Sequence, residues 1–94
     1  MTKSEIAERI AEDSGITRKQ ADAALDSMLR TITETLGRGG RVDLADFGTF
    51  SVAERSARTG RNPATGEVIE IPAKRYTRFR AGKALMEAVD RGSS

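Results

Sequence analysis

Ala21, Ala24, Leu25, Met28, Leu29, Ile32 and Leu36 recur at helical spacing and draw one long apolar stripe over a segment from about Arg18 to Leu36. Thr17 is placed to cap this helix, Gln20 three residues on completes a capping box, and Ile16 just before the cap can pack on Ala21 as a hydrophobic staple. Gly37 and Gly39-Gly40 stop it, because glycine takes the left-handed cap conformation cheaply. The other helical patterns are shorter. One runs from about Lys3 to Ser14, with Thr2 and Glu5 at capping-box spacing, a narrow stripe of Ile6, Ala7, Ile10 and Ala11, and a stop at Ser14-Gly15. The other runs from Gly82 to Asp90, with Leu85, Met86 and Val89 at helical spacing, and ends near Gly92. Two short helices cannot enclose the long stripe in a chain of 94 residues, a size at which about 60–70% of the unfolded surface is buried. Cysteine and histidine are both absent, which removes disulfides and Cys–His metal sites as sources of stability. Association remains. The stripe requires a partner.

After Gly40 the apolar period changes from about 3.6 to 2. Val42 and Leu44 alternate with Arg41, Asp43 and Ala45 as a short strand, and Phe47-Gly48-Thr49-Phe50 opens another with Phe50 and Val52 on one face. Gly48 inside a strand pattern marks a bulge or a close backbone approach. Val68, Ile69 and Ile71 resume strand character, and Pro72 marks an edge or bulge position.

Between these strands, Ala53 to Gly66 holds no large hydrophobic side chain, and Arg55, Arg58 and Arg61 fall every third residue. Asn62-Pro63 and Thr65-Gly66 are turn-forming pairs. Two strands flanking this turn make a hairpin whose outer half has no hydrophobic face and so lies outside any packed core. The nine residues from Val52 to Gly60 reach about 30 Å at ~3.3 Å per residue, enough to wrap a duplex. A mobile surface loop with an ordinary turn proline is the plainer alternative. Charge is unevenly spread as well. Residues 1–50 carry seven basic and nine acidic side chains, whereas Arg55 to Lys83 holds eight basic residues against Glu67 and Glu70. An acidic half joined to a basic half fits one surface facing a polyanion, and an ordinary solvated surface fits it too.

The runs Phe47-Gly48-Thr49-Phe50, Arg55, Arg58, Gly60-Arg61-Asn62-Pro63-Ala64-Thr65-Gly66 and Gly82-Lys83-Ala84-Leu85 resemble the signature of the bacterial HU and integration host factor family, with HU the nearer branch. The likeness spans essentially the whole chain. It implies an α+β fold: an intertwined dimer with a helical base, a β-sheet saddle, two extended β-ribbon arms and a short C-terminal helix. On this chain it implies one unit over 1–94, with a helical dimerisation half at 1–40, sheet and arm at 41–81 with the tip near 60–66, and the last helix at 82–90. It further implies minor-groove binding of double-stranded DNA with little sequence preference, favouring bent, nicked or junction DNA. The family is itself a standing example of minor-groove benders, so the wedge role is carried over to Pro63 and not read from spacing. Arg58, Arg61 and Asn62 would line the groove or hold phosphates, with Arg55 further down the arm. Lys74, Arg75, Arg78, Arg80 and Lys83 would neutralise phosphates along the saddle and flanks, and Lys3 could reach the flanking backbone. The shared dimer core would hold Leu29, Ile32, Leu36, Leu44, Phe47, Phe50 and Phe79. The phenylalanines could instead stack on bases, as in single-strand binders.

Three features depart from the HU pattern. Asp46 stands where the family usually has glycine, Glu67 and Glu70 stand where many arms carry lysine, and Arg75-Tyr76-Thr77-Arg78-Phe79-Arg80 lacks the usual proline and is nearer to integration host factor. A site-preferring bender of that second type is therefore an alternative, alone or as a heterodimer with a paralogue. A protein–protein module working by strand addition is another, although an arginine-rich arm suits it poorly. Catalysis is not expected, since no histidine, cysteine, carboxylate pair or phosphate loop stands in the context such chemistry needs. No cofactor and no small-molecule substrate are expected. No apolar run approaches transmembrane length and the N-terminus lacks a signal-peptide stretch, so a cytoplasmic, nucleoid location is expected with no membrane partner.

Overall fold

The computed structural model describes residues 1–92. Helix α1 spans Lys3–Ser14 and α2 spans Arg18–Gly37; β1 is Val42–Leu44, β2 Gly48–Arg55, β3 Arg58–Arg61, β4 Val68–Ile71 and β5 Lys74–Ala81; α3 is Lys83–Gly92. The Thr17–Gln20 capping box forms as expected, with the Gln20 N–H donating to Thr17 Oγ1 at 3.1 Å and the Thr17 N–H to Gln20 Oε1 at 3.0 Å. At α1 only half of the expected box forms. The Glu5 N–H donates to Thr2 Oγ1, but the Glu5 carboxylate accepts from the Thr2 hydroxyl in place of the backbone N–H. Gly15 closes α1 at φ 66°, where a side chain would strain the backbone.

The sheet has the order β1-β2-β5, all antiparallel, and β3 and β4 form a separate two-stranded ribbon. Lys74–Ala81 shows no alternation in the sequence, because Tyr76 and Phe79 have opposite parity and the other positions are mostly charged. It is nevertheless a full strand, paired with all of β2 from Gly48↔Ala81 to Arg55↔Lys74. The ribbon continues the same register, from Arg58↔Ile71 to Arg61↔Val68. Pro72 therefore interrupts the ladder without adding a residue. Its missing N–H breaks the pairing, and there is no bulge. Gly48 is a close approach: a Cβ there would stand 2.5 Å from the Phe79 ring and 2.8 Å from the Arg80 carbonyl oxygen.

One expectation about the arm is corrected. Its outward strand is polar, but its return strand is not, and Ile69 and Ile71 flank Gly60 on one face of the ribbon. Ile69 on this face is 45% exposed and Val68 on the other is 64% exposed, so neither face of the ribbon belongs to a core.

The radius of gyration is 19.3 Å, with extents of 60 × 34 × 26 Å. A compact chain of this length would have a radius of roughly 12 Å, so the arm stands well away from the body. Only Ala7, Ala21 and Leu25 are buried apolar residues among those described. Of the residues expected in a shared core, Leu29, Phe47 and Phe79 are 42–47% exposed, and Ile32, Leu36, Leu44 and Phe50 are half-buried.

Candidate nucleic-acid interface

Alternate residues of a strand point to opposite faces, and the register sorts β2 and β5 into two faces of different character. Phe50 and Phe79 are directly opposed, with ring centroids 4.8 Å apart, and Phe47 lies 5.8 Å from Phe79. Val42 and Leu44 of β1 add to this side, opposite Phe50 and Gly48. The other face carries Thr49, Ser51, Ala53 and Arg55 on β2 and Arg80, Arg78, Tyr76 and Lys74 on β5. The aromatic rings of the phenylalanines thus lie on the apolar face, turned from the cations, which favours their core role over base stacking.

The basic face is hollowed. A depression of about 680 Å³ is lined by Arg41, Thr49, Ser51, Arg78, Phe79 and Arg80. Arg41 is a site residue that the sequence did not place here, because its position depends on the pairing of β1 with β2. The alternation of Arg41 and Asp43 with Val42 and Leu44 was the available signal. Arg41 donates to Asp43 through Nη2 at 2.9 Å and Nε at 3.1 Å, and the Thr49 hydroxyl donates to the same carboxylate at 2.6 Å. Those bonds hold the Asp43 carboxyl below its ordinary pKa, the Arg41 hydrogen bond being the largest cause, and the same pairing raises that of Arg41.

Arg75 departs from its expected place. It falls on the apolar side, with a guanidinium nitrogen 3.5 Å from where a Cβ on Gly39 would stand, beside the end of α2. There it stands by the negative end of the helix dipole, whose Glu34, Thr35 and Leu36 carbonyls already accept from the Arg38, Gly40 and Gly39 N–H groups.

At the arm tip, the Asn62 N–H donates to the Glu67 carbonyl and the Gly66 N–H to the Asn62 carbonyl, both at 2.8 Å. The Ala64 N–H donates to Asn62 Oδ1 at 2.9 Å, an Asx turn that leaves the Asn62 amide its donors. Arg61 Nη1 donates to the Gly66 carbonyl at 3.3 Å, which ties that guanidinium to the turn. Gly66 takes φ 75°. Pro63 rides exposed on this knot.

The electrostatic asymmetry is sharper than the charge count. The ion pairs among the described residues are Lys3–Asp26, Arg9–Asp13, Arg18–Asp22 and Arg41–Asp43. From Arg55 to Lys83 none of the eight cations has a carboxylate of the described residues within ion-pair distance. Lys3 holds Asp26 at 2.7 Å and pulls its carboxyl pKa down, so it is not free for a second anion without giving up the first. Among the described residues no cluster of side chains suits a metal ion, and no helix is long and apolar enough to cross a membrane.

Comparison with known proteins agrees with this arrangement. A family model described as bacterial DNA-binding protein matches residues 1–90. DNA-binding protein HU of Geobacillus stearothermophilus is 49% identical over 89 residues, covering 95% of this chain and 99% of that protein. HU-beta of Salmonella typhimurium is 50% identical over 90 residues, covering 96% and 100%. The structure is similar to that of Anabaena HU in a cocrystal with DNA, with a TM-score of 0.85 at 48% identity over 95% of this chain and 97% of the other. With its apolar and basic sheet faces, its proline-tipped ribbon and this likeness along its whole length, the chain belongs to the HU family of bacterial DNA-binding proteins.

Proposed function

We propose that this protein is an architectural DNA-binding protein that acts as a dimer, binds duplex DNA with little sequence preference and bends or compacts it. The carrying observation is the row of cations without carboxylate partners, Arg80, Arg78 and Lys74 with Arg55 opposite Lys74, that runs along one face of the saddle to the root of the arm. Fixed cations on a concave face neutralise phosphates and release condensed counterions, which supplies most sequence-independent affinity. Arg78, Arg80 and Lys74 hold phosphates on the saddle, Lys83 does so at the start of α3, and Arg55, Arg58, Arg61 and Asn62 follow the groove along the arm. Pro63 is the wedge: a rigid ring without an N–H can enter a base step without stranding a donor. Lys3 reaches the flanking backbone by exchanging Asp26 for a phosphate. Arg75 has a different role, as a partner of the α2 terminus.

The dimer follows from the uncovered stripe. Leu29, Phe47 and Phe79 are too exposed for a stable monomer of this size, and an apolar hollow between Ile32, Leu36 and Val52 faces outward. A second copy would cover both and set two arms around one duplex. Residues 1–94 then act as one unit, the helical half dimerising and the sheet and arm binding. No chemical step is assigned to any residue, and the place of action is the nucleoid in the cytoplasm.

The test is binding of the purified protein to intact, nicked and four-way-junction DNA at two salt concentrations. Tighter binding to the nicked and junction forms, weakened by salt on every sequence, is expected. Tight binding to a single sequence, or equal binding to all three forms, would refute the proposal.

A further inference from the structure

Tyr76 is the chain's only tyrosine, and there is no tryptophan. On the basic face it is the one aromatic residue that the strand register places there. It stands opposite Ala53, with Arg78 and Lys74 two residues away on the same strand and the same side. Ala53 is too small to cover the ring, and Tyr76 stays 42% exposed. The three phenylalanines are accounted for on the opposite face by one another. Tyr76 does not share that cluster, and its hydroxyl forms no hydrogen bond with the described residues.

We propose that Tyr76 is a further DNA-contacting residue, the ring lying against a deoxyribose and the phenolic O–H donating to a backbone phosphate between those held by Lys74 and Arg78. The inference rests on the DNA-binding reading above. Strand spacing supports it. Side chains on one face recur at about 6.6 Å, close to the separation of successive phosphates along one strand. A row of Lys74, Tyr76, Arg78 and Arg80 therefore offers four donors at the repeat of the backbone. Only the tyrosine among them is uncharged. A phenol gives a charge-assisted hydrogen bond to phosphate and an apolar surface to sugar, without displacing a counterion.

That last property separates Tyr76 from its neighbours. Tyr76→Phe should weaken binding to duplex DNA roughly ten- to hundredfold at fixed salt, the loss of a hydrogen bond to a charged group, while the slope of log affinity against log salt stays that of the parent. Tyr76→Ala should weaken binding further, again with the slope unchanged. Arg78→Ala should lower both affinity and slope. As an independent reading, tetranitromethane should nitrate the single tyrosine of the free protein, and saturating duplex should protect it, followed by intact mass. Unchanged affinity in Tyr76→Phe, or nitration unaffected by DNA while the parent demonstrably binds, overturns the assignment alone. Failure of the parent to bind duplex at all overturns the functional reading with it.

Discussion

Asp46 takes a left-handed backbone, φ 65°, the one non-glycine to do so among the described residues. Its carbonyl accepts the Leu85 N–H at 3.4 Å and so caps the first turn of α3, and Gly82 is held close, since a Cβ there would stand 2.7 Å from the Asp46 carbonyl. Aspartate tolerates this conformation better than most residues but still bears a cost. Asp46→Gly should leave the cap intact and raise stability by up to about 1 kcal/mol, read as a melting shift. Asp26 behaves differently. Its carboxyl is held below its usual value of 3.8, chiefly by the Lys3 hydrogen bond. A group with a depressed folded pKa stabilises above its unfolded pKa and loses that contribution as pH falls through the folded one. Asp26→Asn should therefore melt slightly below the parent at pH 7, with the gap closing on acidification below about pH 4. The pair is exposed on both sides, so the difference should be small. Pro63 can be tested by separating bending from binding. Pro63→Ala should reduce the bend angle, read by energy transfer between labelled DNA ends, and should lower affinity for kinked DNA more than for straight duplex. An unchanged bend would reduce Pro63 to a turn residue.

At the scale of elements, β2 and β5 decide both faces at once, and Gly48 is where they are closest. A methyl group there would meet the Phe79 ring at 2.5 Å and the Arg80 carbonyl at 2.8 Å. Gly48→Ala should thus cost about 1–3 kcal/mol, as overpacking does, and should also displace Arg80. Its signature is a joint loss in melting temperature and DNA affinity. Arg80→Ala should keep the melting temperature and instead flatten the salt dependence, by about 0.9 in slope for each phosphate it no longer neutralises. The two variants together distinguish the strand pair as scaffold from the cations as phosphate ligands.

For the whole molecule, three buried apolar residues cannot hold a helical base of two packed helices against the entropy of folding. Folding and association should be coupled, so the melting temperature should rise with protein concentration. Sedimentation should show a dimer at micromolar concentration, and Leu29→Glu, in the uncovered stripe, should unfold the protein instead of producing a folded monomer. A folded monomer of the parent at that concentration would remove the need for a shared core.

The helices were legible in the sequence because their information is local. Thr17 with Gln20, the 3.6-residue stripe and the glycines each act within a few residues, and α2 ends one residue past the expected Leu36. The arm was legible for the same reason: Asn62-Pro63 and Gly66 make their turn with their own neighbours. What the chain needs for stability, a partner along Leu29 and Ile32, also follows from composition and spacing. The strand at Lys74–Ala81 did not, since its partner lies across the arm and a charged segment shows no period until β2 supplies the register. That register alone places Arg41 and Tyr76 among the cations, turns Arg75 towards α2 and puts the phenylalanines on the other face. Tertiary structure also decides which charges are spent within the protein. Lys3 finds Asp26 at 2.7 Å across the helix pair and Arg41 finds Asp43 at 2.9 Å, while the cations from Arg55 to Lys83 have no ion-pair partner among the described residues. Sequence counts charges, but only the fold sets their separations, and electrostatic energy depends on the separation.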